Sequence, residues 1–307
     1  MHILVTGGAG FIGSNLCDYL VNNGFEVSVV DDLSSGNIEN LSLVIKKIAF
    51  YNEKIETFDF SKLSKLDSVI HLAAQVSVQK SISNFGQSST ANLMGSINVI
   101  DYCRKTMTPL IYASSAALYG NLKLCNDLSP DIDLLSPYAS DKYMLEIYAK
   151  TAYKLYELPS IGLRLFNVYG PRQDPNNPYS GVISIFIDRL LRGKIITING
   201  GHQTRDFIYV EDVVKAIYQS VVLLKTNIVC EHINILTGKS ISIDELATIL
   251  ISKISSSFKK EYSTLQSGDP EGSPGTTKKM EDLLKVNLNK MESIDNGLSK
   301  TFNFISK

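Results

Sequence analysis

Ile3, Leu4 and Val5 form an unbroken apolar run near the start of the chain, the pattern of a strand buried on both faces of a parallel sheet. The run breaks at once into Gly7, Gly8, Gly10 and Gly13. A second, mostly apolar run, Val27 to Val30, ends in Asp31; a third strand is predicted near Ile48 to Tyr51, and a fourth over Ser68 to Ala74, leading into a loop of small residues. Leu93, Ile97 and Ile100 recur at helical spacing within Asn92 to Arg104, and Pro109 precedes a fifth strand, Leu110 to Ala113. Ser136 as N-cap and Pro137 at the first helical position open a long helix. It should run to about Glu157, before Pro159, and cover the sheet with Leu145, Tyr148, Ala149, Ala152 and Tyr156. Ile161 to Phe166 reads as a sixth strand. From about Asn167 to Thr204, Pro171, Pro175, Pro178 and several asparagines mark a loop-rich region. Arg205 to Asp212 leads a helix to about Leu224, His232 to Leu236 looks like the final strand, and a helix over Asp244 to Phe258 precedes a polar tail.

The glycines carry the first chemical signal. Gly8-Ala-Gly-Phe-Ile-Gly13 satisfies G-x-G-x-x-G, in which glycine allows a tight turn, close approach of backbone to a pyrophosphate, and close packing of helix on strand. The helix behind it offers unpaired N–H groups to an anion. Asp31 lies 18 residues past Gly13, near the spacing expected of a carboxylate on a ribose 2′-hydroxyl. No cation follows in Asp32, Leu33, Ser34, Ser35 and Gly36, so a 2′-phosphate would meet uncompensated repulsion, and NAD is favoured over NADP. A lone glycine turn would mean little; here strand, turn, helix and acid arrive in order. The expected fold is an α/β Rossmann-type doubly wound parallel sheet with a smaller, interleaved C-terminal lobe. Residues 1–166 and about 205–236 would form the NAD-binding part, and about 167–204 and 237–307 the lobe.

Composition narrows the class. The 307 residues carry a formal charge of −1, which gives no reason to expect nucleic acid or an anionic membrane as partner. Cys17, Cys103, Cys125 and Cys230 form no C-x-x-C pair and read as reduced, buried thiols, not as a disulfide or metal set. No apolar run approaches a membrane span, and the first strand begins directly after Met1, leaving no room for a signal peptide; a cytoplasmic protein is expected.

Tyr138-Ala-Ser-Asp-Lys142, with Ser115 at a strand end, is the catalytic candidate. Positions i and i+4 share a helix face, and a neighbouring ammonium should lower the phenol's pKa from about 10 toward working pH. Such a phenolate can take a proton from a sugar hydroxyl while hydride leaves the same carbon for NAD. His71, at the end of a buried strand with no acidic or cysteine companion, reads as packing.

Thr6 to Gly13, with Ser115, Tyr138 and Lys142, resembles the extended short-chain dehydrogenases/reductases, the NAD-dependent epimerase/dehydratase family, over most of the chain. The resemblance implies that Gly7, Gly10, Phe11, Ile12, Gly13, Asp31, Asp32, Ser35, Gly36, Ile55, Leu72, Ala73, Ala74, Gln75, Asn92 and Phe166 join Tyr138 and Lys142 around NAD. It likewise implies that Ser77, Asn167, Gln173, Gly181, Val182, Thr197, Asn199, Arg205, Asp269 and Ser273 join Ser115 and Tyr138 around a UDP-sugar. Dehydratases and decarboxylases of the family carry a carboxylate in the segment after the serine, where this chain has Ala116, Ala117 and Leu118. The expectation is therefore a 4-epimerase, acting on UDP-GlcNAc and UDP-GalNAc because Ser273 is small, with UDP-Glc and UDP-Gal also admitted. A UDP-glucuronic acid 4-epimerase, a 4-keto sugar reductase and a cofactor-sensing protein without turnover are the alternatives. Three positions depart from the family pattern: Lys54 replaces an aspartate near the adenine, Gln266 an arginine on the diphosphate, and Thr276 an aspartate, while Lys279 keeps its place. The resemblance also implies a homodimer built on the Asn92 to Arg104 and Pro137 to Glu157 helices, and no metal.

Overall fold

The computed structural model describes residues 1–176, 181–254, 259–264, 271–272 and 274–307. Chain order runs β1 (His2–Thr6), α1 (Phe11–Asn22), β2 (Glu26–Val30), β3 (Ala49–Tyr51), β4 (Ser68–His71), α2 (Val78–Ser83), α3 (Phe85–Thr106) and β5 (Leu110–Ser115). It continues through α4 (Pro137–Tyr156), β6 (Ser160–Leu165), β7 (Asn167–Tyr169), α5 (Val182–Leu191), β8 (Ile196–Asn199), β9 (Thr204–Tyr209), α6 (Val210–Leu224) and β10 (Cys230–Ile235). β11 (Ser240–Ser242), α7 (Ile243–Ile254), β12 (Lys260–Ser263), α8 (Lys278–Leu284) and α9 (Ile294–Ile305) follow.

Seven strands form one parallel sheet in the order β3-β2-β1-β4-β5-β6-β10. This is the Rossmann-type doubly wound sheet, extended by a seventh strand, and the order reverses between β1 and β4. A crevice opens outside the carboxyl ends of the strands at such a point, which is where open α/β sheets bind ligands. The strands are apolar on both faces because helices cover both: β1 is buried throughout, with α1 and α6 on one side and α3 and α4 on the other. Helix ends follow their local chemistry. Ser136 accepts from the Ala139 N–H and Pro137 opens α4, while Met107 and Glu157 close α3 and α4 in the left-handed conformation. Leu145, Ala149 and Ala152 of α4 are buried as expected, but Tyr148 and Tyr156 remain 38% and 44% exposed, so the sheet-covering face is narrower than the sequence suggests.

The smaller lobe departs most from expectation. The loop-rich stretch contains β7, α5 and β8; Arg205 to Tyr209 is strand β9 before the expected helix; β10 is followed by two more strands; and the polar tail holds α8 and α9. Prolines and asparagines drew the reading toward loop, although Ile183, Phe186, Ile187 and Leu190 keep i, i+3, i+4, i+7 spacing. Those residues meet Ile196 and Ile198 of β8, Leu246 and Leu250 of α7, and Leu298 of α9 in a second apolar core. β7, β9 and β11 form a three-stranded sheet and β8 pairs with β12. α8 turns back to the large sheet, where Met280 and Leu284 are buried with α6 and β10. The helix over Asp244 to Phe258 is observed from Ile243 to Ile254, with Phe258 outside the described residues. Among the described residues no helix is long and apolar enough to cross a membrane, and all four cysteines are unpaired thiols.

Since Met280 is fully enclosed, Met280→Ala is expected to lower unfolding free energy by about 2–5 kcal/mol in urea titrations. A loss near zero would show that α8 is not part of the core.

Candidate active site

Gly7 has φ +70°, and a Cβ there would lie 2.7 Å from the Ala73 backbone nitrogen; one on Gly13 would lie 2.1 Å from the Gly7 carbonyl oxygen. The turn therefore closes only with glycine at both places. Gly10 is the N-cap of α1 and no side chain caps that helix, so its first N–H groups face the crevice. Asp31, buried at the end of β2, accepts from the Ala9 and Leu33 N–H groups at 2.9 Å each. Burial pushes its pKa up, while those two N–H groups pull it down. Asp32 accepts from the Ser34 N–H and hydroxyl, Ser35 is exposed, and Gly36 packs against Ala9 and the Asp31 carboxylate. Thr6 accepts from the Ala73 N–H at 3.2 Å, which fixes the Leu72-Ala73-Ala74 wall. Ile55 is buried behind Gly95 of α3, and Lys54 precedes it as N-cap of a short turn of helix. An uncapped helix start, glycine-only contacts and a carboxylate at the end of the second strand fit NAD.

Across the crevice, Tyr138 and Lys142 lie on one face of α4, both buried. Lys142 Nζ donates to the Ala113 carbonyl at 2.8 Å and sits 5.9 Å from the Tyr138 ring centroid. Ser115 Oγ accepts from the Ala117 N–H at 3.1 Å and lies close enough to the phenol to influence its titration. The electrostatics correct one expectation. Burial pushes the Tyr138 phenol above its usual value, Ser115 pulls it part of the way back, and Asp141 adds to the rise. Burial also lowers Lys142, to about 8, against the pull of Asp141.

Several contacts that hold this arrangement escaped the sequence reading. Ser81 Oγ accepts from the Tyr138 N–H at 3.2 Å. Asn92 donates to Asp141 at 3.1 Å and accepts from the Gln75 N–H at 2.8 Å, so it ties α3 to α4 and to the loop after β4. Glu146, one turn beyond Lys142, receives Arg164 at both carboxylate oxygens (2.9 and 2.7 Å) and the Ser114 hydroxyl at 2.6 Å. Arg164 Nη1 also donates to the Tyr119 hydroxyl at 2.8 Å, and Tyr119 donates to Asn234 Oδ1 at 2.7 Å. Burial pushes the Glu146 carboxyl up, but Arg164, His232 and Ser114 outweigh it and leave it below the ordinary range. The signal available was the repeat of polar residues every four positions at Tyr138, Lys142 and Glu146, on a helix that covers a sheet.

The remaining residues sort by lobe. Phe166 is buried beside Tyr119, Cys125 and Leu236, and Asn167 Nδ2 donates to the Asp206 carbonyl at 3.1 Å. Ser77 caps α2 by accepting from the Lys80 N–H. Gln173 and Gly181 are brought together, since a Cβ on Gly181 would lie 2.9 Å from Gln173 Nε2, and Val182 begins α5 beside them. Thr197 is exposed on β8 and accepts from Arg189, Asn199 accepts from Ser263, and Arg205 is buried and donates to the Thr204 carbonyl. Thr276 donates to Asp127 at 3.1 Å, and Lys279 pairs with Glu231 at 2.7 Å. Asp269 and Ser273, with Gln266 and Gly268, lie outside the described residues.

Comparison with known proteins agrees with this geometry. Residues 3–235 match the model of the NAD dependent epimerase/dehydratase family. A putative UDP-glucose 4-epimerase of Methanocaldococcus jannaschii is 42% identical over 255 residues, 81% of each chain. The crystal structure of UDP-glucose 4-epimerase from Thermotoga maritima with UDP-glucose superposes with a TM-score of 0.91 at 34% identity, covering 99% of this chain and 98% of that one. The UDP-N-acetylglucosamine 4-epimerase of Methanobrevibacter ruminantium, in complex with UDP-N-acetylmuramic acid, gives 0.92 at 33% identity, covering 99% and 97%.

His71 separates packing from catalysis. Its ring nitrogens lie 2.7 Å from Thr6 Oγ1 and 3.2 Å from Ser96 Oγ, and burial, with Lys142 nearby, lowers its pKa to about 3. The folded state thus refuses a proton that the unfolded chain takes up at its ordinary value of 6.5, so stability falls as pH drops from there toward about 3. The His71 ring resonances should stay unshifted between pH 8 and 5 in NMR titrations; a midpoint near neutrality would contradict the packing role.

Proposed function

The chain belongs to the NAD dependent epimerase/dehydratase family, and from that premise we propose that it is a 4-epimerase of UDP-sugars, acting on UDP-GlcNAc and UDP-GalNAc and admitting UDP-Glc and UDP-Gal. The observation that carries the reading is the pairing of a complete proton-handling set with an inert neighbourhood. Tyr138 takes the proton of the sugar 4-hydroxyl, Ser115 hydrogen-bonds the same oxygen, and Lys142 holds positive charge near the phenol at neutral pH, since it loses its proton only near pH 8. The glycine turn, the start of α1 and Asp31 would hold NAD, which would supply a reversible hydride acceptor for the same carbon. Return of the hydride to the opposite face after the 4-keto sugar turns gives the epimer with no net redox change.

Elimination at a neighbouring carbon needs a further acid or base. Leu118 is buried, Ala116 and Ala117 cannot move a proton, and Glu146 is held as a carboxylate by Arg164. Dehydration therefore lacks its groups among the described residues of this wall. For the sugar, Gln173 and Gly181 meet at the entrance to α5, where the Gln173 amide occupies the space that a side chain on residue 181 would take, and the family resemblance assigns this pair to the pocket beside the sugar's 2-substituent. Naming of one relative as a UDP-N-acetylglucosamine 4-epimerase supports the same substrate. Met94 of α3 and Ile147 and Tyr148 of α4 are exposed, which suits these two helices to a homodimer interface.

The test is to incubate purified protein with each UDP-sugar without added cofactor and follow products by NMR. UDP-GlcNAc and UDP-GalNAc should interconvert; turnover of the UDP-Glc pair alone would overturn the substrate assignment, and stoichiometric consumption of added NADH would overturn epimerisation. Tyr138→Phe should lower kcat by about 10²–10⁴-fold while NAD stays bound.

A further inference from the structure

Four buried side-chain atoms among the described residues lack a hydrogen-bond partner, and three of them belong to the ion pair Asp18–Arg172 (Asp18 Oδ1 and Arg172 Nη1), which joins the dinucleotide helix to the loop after β7, and to Gln173 (Oε1), the next residue of that loop. Arg172 also has φ +72°, a left-handed conformation that a long side chain adopts only where its surroundings hold it. What holds it is α1. Arg172 Nη2 donates to Asp18 Oδ2 at 2.6 Å, and Asn15, three residues earlier on α1, donates to the Pro171 carbonyl at 3.1 Å and to Phe11 O at 2.9 Å. The contact is end-on instead of a two-bond fork, so one donor and one acceptor go unmatched. Backbone geometry, not the pair's own optimum, fixes it.

Both ends of this link reach a proposed binding group. At one end, Phe11 and Ile12 form the first turn of α1 behind the glycines and pack against the small-lobe core. At the other, the next residue, Gln173, donates to the Val168 carbonyl at 3.3 Å and touches Gly181, with Oε1 unpartnered. We infer that Arg172 is a positioning residue: held by Asp18, in a loop that Asn15 anchors through the Pro171 carbonyl, it sets Gln173 and Gly181 according to the state of the glycine turn, so that cofactor and sugar sites are coupled through one ion pair. The inference rests on the reading that Gln173 and Gly181 line the sugar pocket.

The test uses hydrogen exchange on the full chain with and without added NAD. In the unaltered protein NAD should slow exchange of both the 8–13 turn and the 168–173 segment. In Arg172→Met and Asp18→Asn the turn should still be slowed, while the effect at 168–173 disappears and KM for the UDP-sugar rises about tenfold with kcat little changed. Arg172→Gly, which suits the left-handed backbone and so keeps the fold, should behave like Arg172→Met. Equal slowing at 168–173 in all forms, or none in the unaltered protein, would overturn the link. Gln173→Ala reports on the pocket separately: an unchanged KM there would sink the pocket assignment, while the exchange result would still decide the link.

Discussion

Everything at the strand ends depends on one buried ion pair, Glu146 with Arg164. Two charges taken out of water cost several kcal/mol each, and their attraction repays this only when the remaining donors and acceptors are matched. Here they are: the Ser114 hydroxyl donates to Glu146, and the Tyr119 hydroxyl accepts the third Arg164 contact and donates to Asn234 Oδ1. The result is a clamp between α4, β5 and β6. Because Glu146 sits one turn beyond Lys142, the clamp fixes the helix face that also carries Tyr138, and through β6 it fixes Phe166 and Asn167. Such a pair adds little net stability. Its consequence is a single register of α4 on the sheet.

The crevice in front of the clamp has two unlike walls. On the β1 side the chain offers backbone: glycines with no room for a side chain, an uncapped helix start, and an aspartate that already accepts two N–H groups. On the α4 side it offers side chains withdrawn from water. Burial moves Tyr138 up and Lys142 down, which brings the two pKa values apart from their ordinary positions in opposite senses. The protein alone thus leaves the phenol protonated at rest. NAD held by the glycine turn would bring a positive nicotinamide charge that favours the phenolate.

Much of the cofactor half was legible because its constraints are local. A glycine that no side chain can replace, a buried apolar strand and an N-capping serine each announce themselves within a few residues. The Glu146 network was not legible, since its members come from α4, β5, β6 and β10 and meet only through the sheet order; in sequence Glu146 reads as one charge among many. The small lobe failed for a different reason. Pro171, Pro175 and Asn176 mark real turns, but α5 and β8 follow them, and short strands such as β7, β9 and β11 derive their existence from pairing with distant partners. The tail misled by composition: α8 buries only Met280 and Leu284 and leaves its other residues at least partly exposed.

The central claim is that hydride leaves and re-enters one sugar carbon, with Tyr138 handling only the hydroxyl proton. Labelling the sugar substrate with deuterium at C4 and analysing the epimer formed in ordinary water tests this directly. The account predicts that deuterium stays at C4 in the product and that no solvent hydrogen enters carbon. Washout of the label from C4, or solvent hydrogen appearing at C3 or C5, would contradict it.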